Sequence, residues 1–434
     1  MGASPIFTDT VTQRPTWSKI GTGLTQAWRI SLVLFVLALG GLTLHQLSGA
    51  EMGGWSRGEL LINYEGGFVR RGVFGQIFLA TGTPAASAFL TQMIMISIFY
   101  VGSATLLATW KGNLSATGAF TVAVFAPGGL FDMSSSGTFE YLDRKEIWFY
   151  VALLFLVFYA KRFGVLRPSS LGIFIVVSCT MILHHELFFL LFSIPISGLL
   201  LLLATSARGK KSLLFPACYF AFTTFTFLLV VLNRGNSLAV EAILLSLEGT
   251  DAGGTNGGIS AIGWNLVQTN QLSNRMLSEG SALYWLFFLL VALFLAVNFT
   301  VVSSDKYFSL ISSVLLLGWL FVAVAPALVV IAGWDWGRSI SMLSISFFLL
   351  QSLVQVVESE YEKTERVSNS FLLAATPFQH KSVSTVVLSL VVLGFSVLTS
   401  SFTTLAHCCP RSIGDIWGLS IPPLILELLA TAWG

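Results

Sequence analysis

The chain has 434 residues, of which 55% are hydrophobic and only 10% are charged, and its formal net charge is +2. A mean hydropathy of +0.81 excludes a soluble globular protein, and the small net charge gives no indication of nucleic-acid binding. The four cysteines form no framework of disulfide or metal-site spacing, so we interpret them as structural residues.

Apolar segments of about 20 residues recur along the chain, and this length matches the hydrocarbon core of a bilayer. Because lipid cannot satisfy backbone polar groups, such segments are expected to be helices. The sequence therefore predicts an all-α fold in a single integral membrane domain (1–434), a polytopic bundle with about 11 transmembrane helices. The predicted spans are 27–47, 85–110, 116–132, 146–160, 170–184, 187–206, 213–232, 281–303, 307–331, 336–356 and 382–402.

The lysine and arginine bias orients these spans. With a cytoplasmic amino terminus, 14 basic and 6 acidic residues fall inside, whereas 9 basic and 15 acidic residues fall outside. An excess of basic residues inside is the usual orientation signal. The external segments are then 48–84 and 233–280, and 357–381 is a charged cytoplasmic connection. This orientation places nearly every compact charged motif outside, where charges at a membrane boundary usually mark a site.

The first external segment contains the string NYEGGFVRRGVFG, residues 63–75. Val69, Val73 and Ile77 recur at a spacing of four, which predicts a short amphipathic helix. We expect the amino terminus of this helix to lie close to Gly67.

Two arginines and one acid accompany that predicted helix start. Arg70 and Arg71 beside unpaired amides would bind a phosphate or pyrophosphate group. Glu65 lies just before them and is the predicted catalytic base, accepting a proton from a hydroxyl. The alternative is an interfacial helix whose arginines meet lipid head groups and whose Glu65 is a cap.

The string FEYLDRKE, residues 139–146, leads into the fourth predicted span. In the functional interpretation, Asp143 or Glu146 supplies a second carboxylate, and Arg144 or Lys145 contacts a donor phosphate. Asp132 is a further acidic candidate. The alternative is mutual neutralisation of these charges at a helix start.

The triplet His184-His185-Glu186 is flanked by strongly apolar sequence, so it is expected near the outer boundary of a helix pair. Adjacent histidines point about 100° apart on a helix, and a shared metal is therefore not the default expectation. His184 is predicted to bind substrate, while His185 and Glu186 are predicted to act in proton transfer. The alternative is a polar contact between helices.

The string GWDWGR, residues 333–338, combines two tryptophans with Asp335 and Arg338, which are predicted substrate-binding residues. Aromatic rings stack on sugars and carboxylates bind hydroxyls, although tryptophans are also ordinary membrane-interface anchors. Arg234, at the outer end of the seventh predicted span, is predicted to add a phosphate contact. The glycine-rich stretch 249–258 is predicted to be a mobile loop or lid, with plain disorder as the alternative.

Carboxylates, arginines, histidines and aromatics on the external face suit a lipid-linked sugar phosphate and a sugar acceptor. The donor would be a polyprenyl-phosphate or polyprenyl-diphosphate sugar, since nucleotide sugars are not expected outside the membrane. A carboxylate would deprotonate the attacking hydroxyl while arginines or a bound metal stabilise the leaving phosphate. The expected partners are this donor, a glycan or lipid-linked acceptor and the bilayer, with no nucleic acid. No cofactor is required by this interpretation, and a divalent metal is left open.

The plan of many spans with an acid in the first external loop resembles the GT-C glycosyltransferases. The strings YEGGFVRRG, DRKE, HHE and DWGR are also similar to those of membrane proteins from bacterial surface-polysaccharide clusters, including O-antigen polymerase-like proteins. The resemblance implies a GT-C-like bundle in the bacterial inner membrane with Glu65 as its base. GT-C members often carry a paired Asp-type motif, whereas Glu65 here stands between Tyr64 and Gly66.

Two other functional classes fit less well. A transporter or flippase for lipid-linked or anionic substrates needs charge along a path through the bilayer, whereas the charges here gather at one face. A structural membrane subunit does not account for the density of charged motifs.

Overall fold

The computed structural model describes residues 17–48, 54–109, 145–165, 167–206 and 213–264, together with a few isolated positions between 345 and 356. These residues are 81% helical and include no strand, which confirms the all-α prediction for this part of the chain. The helices are α1 (Trp17–Ser48), α2 (Gly54–Leu61), α3 (Val73–Leu79), α4 (Pro84–Ala108), α5 (Glu146–Phe163), α6 (Pro168–His184), α7 (Ile194–Ser206), α8 (Leu214–Leu232), α9 (Ser237–Leu247) and α10 (Gly257–Ser260). A π-helical turn, Phe189–Ser193, precedes α7, and a 3₁₀ turn, Ala261–Gly263, follows α10.

Six of the predicted spans coincide with helices α1, α4, α5, α6, α7 and α8. Two of these helices, α4 and α8, are long and apolar enough to cross a membrane. The apolar stretches Arg29–His45, Pro168–His184, Phe189–Leu201 and Ser237–Leu247 are shorter. The other five predicted spans lie outside the described residues, apart from isolated positions within 336–356.

Proline sets the start of two of these helices. Pro84 and Pro168 occupy the first turn of α4 and α6, where a missing backbone N–H costs nothing. Pro195 lies just inside α7, directly after the π-helical turn, and its missing N–H interrupts the regular hydrogen-bond ladder there.

Helices α4 and α5 are parallel neighbours. Near their starts, Trp148 Nε1 donates to Gln92 Oε1 at 2.8 Å; near their ends, Lys161 Nζ donates to Thr109 Oγ1 at 3.1 Å. The predicted span 116–132 lies between them in the chain and outside the described residues. Helix α1 packs on α4, α6 packs on both α5 and α8, and α7 packs on α8.

The two helices of membrane length each expose an apolar face. On α4, the exposed side chains Leu90, Ile94, Ile98 and Val101 follow helical spacing, opposite the buried residues that pack on α1 and α5. On α8 the exposed large apolar residues are Leu214, Phe220, Phe222, Phe225, Leu228, Leu229 and Leu232. Contiguous exposed apolar faces of this kind mark a surface for a membrane or for other protein segments.

The glycine-rich stretch 249–258 forms a loop up to Asn256 and enters α10 at Gly257, and its movement as a lid stays a prediction. Its Asp251 carboxylate accepts hydrogen bonds from the Ala85 and Ala86 amides at 3.0 and 2.8 Å, at the start of α4. Further along, a Cβ on Gly258 would lie 2.4 Å from Glu59 Cγ, so only glycine allows α10 to lie this close to α2. The stretch therefore contacts both the start of α4 and helix α2.

Candidate functional site

The α6–α7 connection is built around His185. Its extended backbone (φ −162°, ψ 126°) ends α6 at His184. The Leu187 amide then donates to His185 Nδ1 at 3.2 Å, and the Phe188 amide donates to the His185 carbonyl at 3.1 Å. Since Nδ1 accepts a hydrogen bond, the ring proton of the neutral imidazole is on Nε2. His185 therefore caps the next helical segment and fixes the position of Glu186 after it.

The arginine pair lies in a tight turn instead of a helix. Arg71 has a φ of +69°, in the left-handed region that residues other than glycine rarely adopt. The Arg70 amide donates to the Asn233 carbonyl at 2.9 Å, which ties the turn to the end of α8. Gly72 lies against the Tyr64 ring, where an added Cβ would stand 2.3 Å from Cε1. The strained backbone is thus held from two sides.

The predicted amphipathic helix begins later than expected. Gly67 belongs to a turn closed by its own amide on the Tyr64 carbonyl at 2.9 Å, and α3 starts only at Val73. Ile77, which was expected on the apolar face, is 55% exposed. A helix of seven residues that starts beyond the arginines offers them no row of free amides. The anion-binding arrangement predicted for this helix start is therefore not formed by the helix itself.

Arginine side chains connect this turn to the α6–α7 connection through ion pairs. Arg71 binds Glu186 in a bidentate manner, with Nε–Oε2 at 3.0 Å and Nη2–Oε1 at 2.5 Å. Arg70 Nη1 reaches the same Glu186 Oε1 at 3.5 Å. Arg71 Nη1 also lies 3.6 Å from Glu59 Oε1, a carboxylate on α2. The arginine pair of the first external segment and Glu186 of the histidine triplet are therefore in contact, and Glu59 on α2 joins them.

Burial and charge act in opposite directions on the central carboxylate. Burial alone would raise the pKa of Glu186, but Arg71, with a smaller contribution from Arg70, holds it well below its usual range. Burial lowers the pKa of Arg70 to about 10, assisted by the neighbouring positive charges of Arg71 and Arg234. Glu186 is therefore ionised at any ordinary pH and is a weak base.

The imidazole of His185 is neutral at neutral pH. Burial, followed by the charge of Arg71, lowers the pKa of His185 well below its ordinary value. Its Nδ1 lies 3.5 Å from Glu186 Oε2, within ion-pair distance. This contact is not a salt bridge, because Nδ1 already accepts the Leu187 amide and the ring carries no charge. The Nε2–H of the ring remains as its hydrogen-bond donor.

Lys145 and His184 are buried next to the ion pairs of Arg71 with Glu186 and Glu59. Lys145 is fully buried, and its Nζ donates to the Glu59 carbonyl at 3.0 Å. The His184 ring packs on the rings of Phe74 and Trp148, with centroids 4.7 and 5.0 Å apart. Neither nitrogen of His184 has a hydrogen-bond partner within the part of the chain that the structure describes.

The other predicted residues are placed as follows. Glu65 is exposed; its Oε1 accepts from Gln76 Nε2 at 3.1 Å, and its amide donates to Asn63 Oδ1 at 3.1 Å. Arg234 is exposed and lies close enough for its charge to act on Arg70, whereas Glu146 is buried at the start of α5. The predicted residues outside the described part are Asp132, Asp143, Arg144, Trp334, Asp335, Trp336 and Arg338.

Glu59 is the site residue that the sequence analysis missed. It is 3% exposed, its carboxylate faces Arg71, and its carbonyl receives Lys145. The signal was present: Glu59 precedes the apolar run Leu60–Ile62, and a buried acid needs a counterion. Because the sequence pattern predicts no helix before residue 63, it leaves Glu59 in an external loop.

A metal does not fit the described part of the site. No group of three His, Cys, Asp or Glu side chains with metal-binding geometry occurs among the described residues. Both oxygens of Glu186 face guanidinium nitrogens, which leaves that carboxylate poorly suited to a cation. We therefore derive no step through a metal.

Comparison with known proteins gives no relative. The sequence matches no protein-family model, no curated protein and no solved structure. Function must therefore be argued from the geometry of the site.

Proposed function

We propose that the chain is a polytopic membrane protein of about 11 transmembrane helices, with a cytoplasmic amino terminus in the bacterial inner membrane and the charged site at the outer boundary. The lengths of α4 and α8 and their exposed apolar faces support this proposal. The opposite end of α5 and the following turn carry Lys161, Arg162 and Arg167, all exposed and all basic, as expected of the cytoplasmic side.

We propose further that the site transfers a sugar from a polyprenyl-phosphate or polyprenyl-diphosphate donor to a glycan acceptor, either once or repeatedly as a polymerase. The observation that carries this proposal is the contact of Arg70 and Arg71 with Glu186. It gathers cations and carboxylates from distant parts of the sequence at one end of four helices. Guanidinium groups suit a departing phosphate, and carboxylates suit sugar hydroxyls and their protons.

The proposed reaction is a substitution at the anomeric carbon of the donor sugar. The acceptor hydroxyl oxygen forms a bond to that carbon while the bond from carbon to phosphate oxygen breaks. The hydroxyl proton passes to a carboxylate, and the lipid phosphate leaves with the bonding electron pair. Preorganised arginines stabilise the negative charge that develops on the phosphate.

Glu65 remains the proposed base. It lies on the exposed turn just before the arginines, and a hydrogen bond from Gln76 holds its carboxylate. Glu186 is less suited to this role, because Arg71 and Arg70 stabilise its ionised form. In this scheme Glu186 orients the arginines, and His185 offers Nε2–H to a substrate oxygen. Asp143, Arg144, Asp335 and Arg338 keep their proposed roles as a second carboxylate and as substrate-binding residues.

The test uses the full chain in lipid nanodiscs with a synthetic polyprenyl-diphosphate sugar and a labelled acceptor. We expect a glycan product whose rate falls by about 10²- to 10⁴-fold in Glu65→Gln, the usual contribution of a general base. Glu241→Gln is the matched control, since Glu241 is another exposed glutamate, on α9. Loss of product in Glu59→Gln or Glu186→Gln with full activity in Glu65→Gln would transfer the base to the inner carboxylates.

The alternative function is a transporter or flippase for the same class of lipid-linked anion. The π-helical turn Phe189–Ser193 favours it, because irregular helices within predicted spans often line transport paths. Reconstituted vesicles that move a labelled lipid-linked sugar across the bilayer without forming a glycosidic bond would establish this alternative and refute the transferase.

A further inference from the structure

The two arginines of the turn have different surroundings. Three close approaches to Glu186 and Glu59 engage the Arg71 guanidinium. The Arg70 guanidinium has one long contact to Glu186 at 3.5 Å and one to the Ala261 carbonyl at 3.3 Å. Its Nε is buried without a hydrogen-bond partner among the described residues. Arg71 is thus neutralised by the protein, whereas Arg70 retains donor capacity.

A second cation lies beside Arg70 because two chain segments run antiparallel. Gly66 lies against Ala239, and the Arg70 amide donates to the Asn233 carbonyl at 2.9 Å. This register places Arg234, which follows Asn233, next to Arg70, in agreement with its effect on the pKa of Arg70. Two neighbouring guanidinium groups, of which Arg70 has only one long contact to a carboxylate, favour an anionic ligand.

Exposed apolar side chains border these two cations. Phe68, two residues before Arg70, is 46% exposed and stacks on Tyr64 with ring centroids 5.4 Å apart. Leu232 and Leu238 precede and follow Arg234 in the chain, and they are 78% and 72% exposed. A ligand that satisfies this surface needs an anionic group next to an apolar chain.

We propose that Arg70 and Arg234 bind the phosphate of a lipid phosphate whose apolar chain lies over Phe68, Leu232 and Leu238. Arg71 belongs to the supporting ion pairs with Glu186 and Glu59. The inference rests on the proposed function and sharpens it, because it assigns recognition of the donor to its lipid carrier at the 66–70 and 232–238 segments. Recognition of the sugar is left to other residues.

The experiment measures binding to the full chain in nanodiscs of zwitterionic phospholipid, which carries no net charge. Three probes are compared: farnesyl phosphate, inorganic phosphate and farnesol. We expect farnesyl phosphate to bind at least about tenfold more tightly than either of the others, because only it supplies both the charge and the buried apolar area. Equal binding of inorganic phosphate would contradict the lipid part of the proposal, and equal binding of farnesol would contradict the phosphate part.

Substitutions of the two arginines test whether they bind the phosphate. Arg70→Gln and Arg234→Gln are each expected to weaken farnesyl phosphate binding by about tenfold, the range for a lost charge-assisted hydrogen bond. Arg162→Gln, at the opposite end of α5, is the control and is expected to bind normally. An equal loss in Arg162→Gln, or no loss in both site variants, would overturn the proposal.

The apolar border has its own matched pair on α9. Leu238→Ser is expected to weaken farnesyl phosphate about fivefold and to leave inorganic phosphate unchanged, whereas Leu245→Ser, also exposed on α9, changes neither. A loss of phosphate binding in Leu238→Ser would contradict this assignment.

The inference and the proposed function fail in different ways. Farnesyl phosphate binding that depends on Arg70 and Arg234, without any glycan product, would keep the lipid site and remove the transferase. Glycosyl transfer that is insensitive to both arginines would keep the transferase and remove this site.

Discussion

The two ends of α5 hold the same kinds of charge in opposite surroundings. At its start, Lys145 is fully buried and donates to the Glu59 carbonyl within a network of carboxylates, arginines and histidines. At its other end, Lys161 and Arg162 are exposed, and Lys161 Nζ donates to Thr109 Oγ1 at 3.1 Å. An exposed charge keeps much of its hydration, whereas a buried one requires specific partners. Burial therefore distinguishes the two ends of α5.

The largest contrast is expected from two glycines. A Cβ on Gly75 would lie 1.8 Å from the Ile62 carbonyl oxygen, whereas Gly172, in α6 near the basic end, has open space around it. We expect Gly75→Ala to cost about 4 kcal/mol or more of unfolding free energy. Gly172→Ala should stabilise by about 0.5 to 1 kcal/mol through its higher helix propensity. Equilibrium unfolding in detergent measures both, and similar values for the two variants would contradict the close packing of α3.

Removal of the central carboxylate is expected to have the next largest effect. Glu186→Ala leaves the Arg71 guanidinium, whose side chain is 15% exposed, without its bidentate partner. Breaking a mostly buried pair in this way typically costs about 3 kcal/mol. Arg162→Ala at the opposite end should change the unfolding free energy by less than about 0.5 kcal/mol. A cost below 1 kcal/mol for Glu186→Ala would mean that water screens the pair far more than its burial indicates.

Two lysines, one at each end of α5, test directly whether the buried end is less tolerant of change than the exposed end. Lys145→Met removes the donor to the Glu59 carbonyl and is expected to destabilise by about 1 to 3 kcal/mol. Lys161→Met, which loses an exposed bond to Thr109, should cost less than about 0.5 kcal/mol. The difference between the two unfolding midpoints is the measurement, and its absence would show that both ends tolerate apolar replacement alike.

The smallest effect concerns pH. The pKa of His185 is lowered in the folded state, so folding favours the neutral ring. Its contribution to stability is present above the unfolded-state pKa of about 6.5 and is lost as the pH falls below it, by about 1.4 kcal/mol per pH unit at most. His185→Asn keeps an acceptor for the Leu187 amide and should reduce the slope of stability between pH 6.5 and 5. An unchanged slope would contradict the lowered pKa of His185, because it would mean that His185 binds protons equally in the folded and unfolded chain.

The sequence predicted the helices better than it predicted the loops. Long apolar segments bounded by Pro84 and Pro168 leave little choice of structure, and the predicted spans 85–110 and 170–184 differ from α4 and α6 by at most two residues at each end. The loop helices are short, and here tertiary contacts decide. Spacing alone started the first-loop helix near Gly67, but the positive φ of Arg71 interrupts it, and no sequence rule predicts an arginine in that conformation.

The sequence predicted that the charged motifs lie on one face, but it did not predict which of their side chains pair. Folding the spans by charge brought Arg70 and Arg71 to the same face as Glu186, and the structure places them in contact. The separate surroundings of the two arginines depend on Glu59 and Asn233, which lie far apart in the sequence. Such differences arise from packing and cannot be obtained from the motif itself.

The glycine contact between α2 and α10 has a consequence for synthesis. Gly58 and Gly258 meet backbone to backbone, although about 200 residues of chain separate them. At roughly 5 to 20 residues per second, α2 emerges some 10 to 40 s before its partner exists. During that interval Glu59 lacks the neighbour that packs against it. The ion-pair site is therefore completed late in translation, only after α10 has been made.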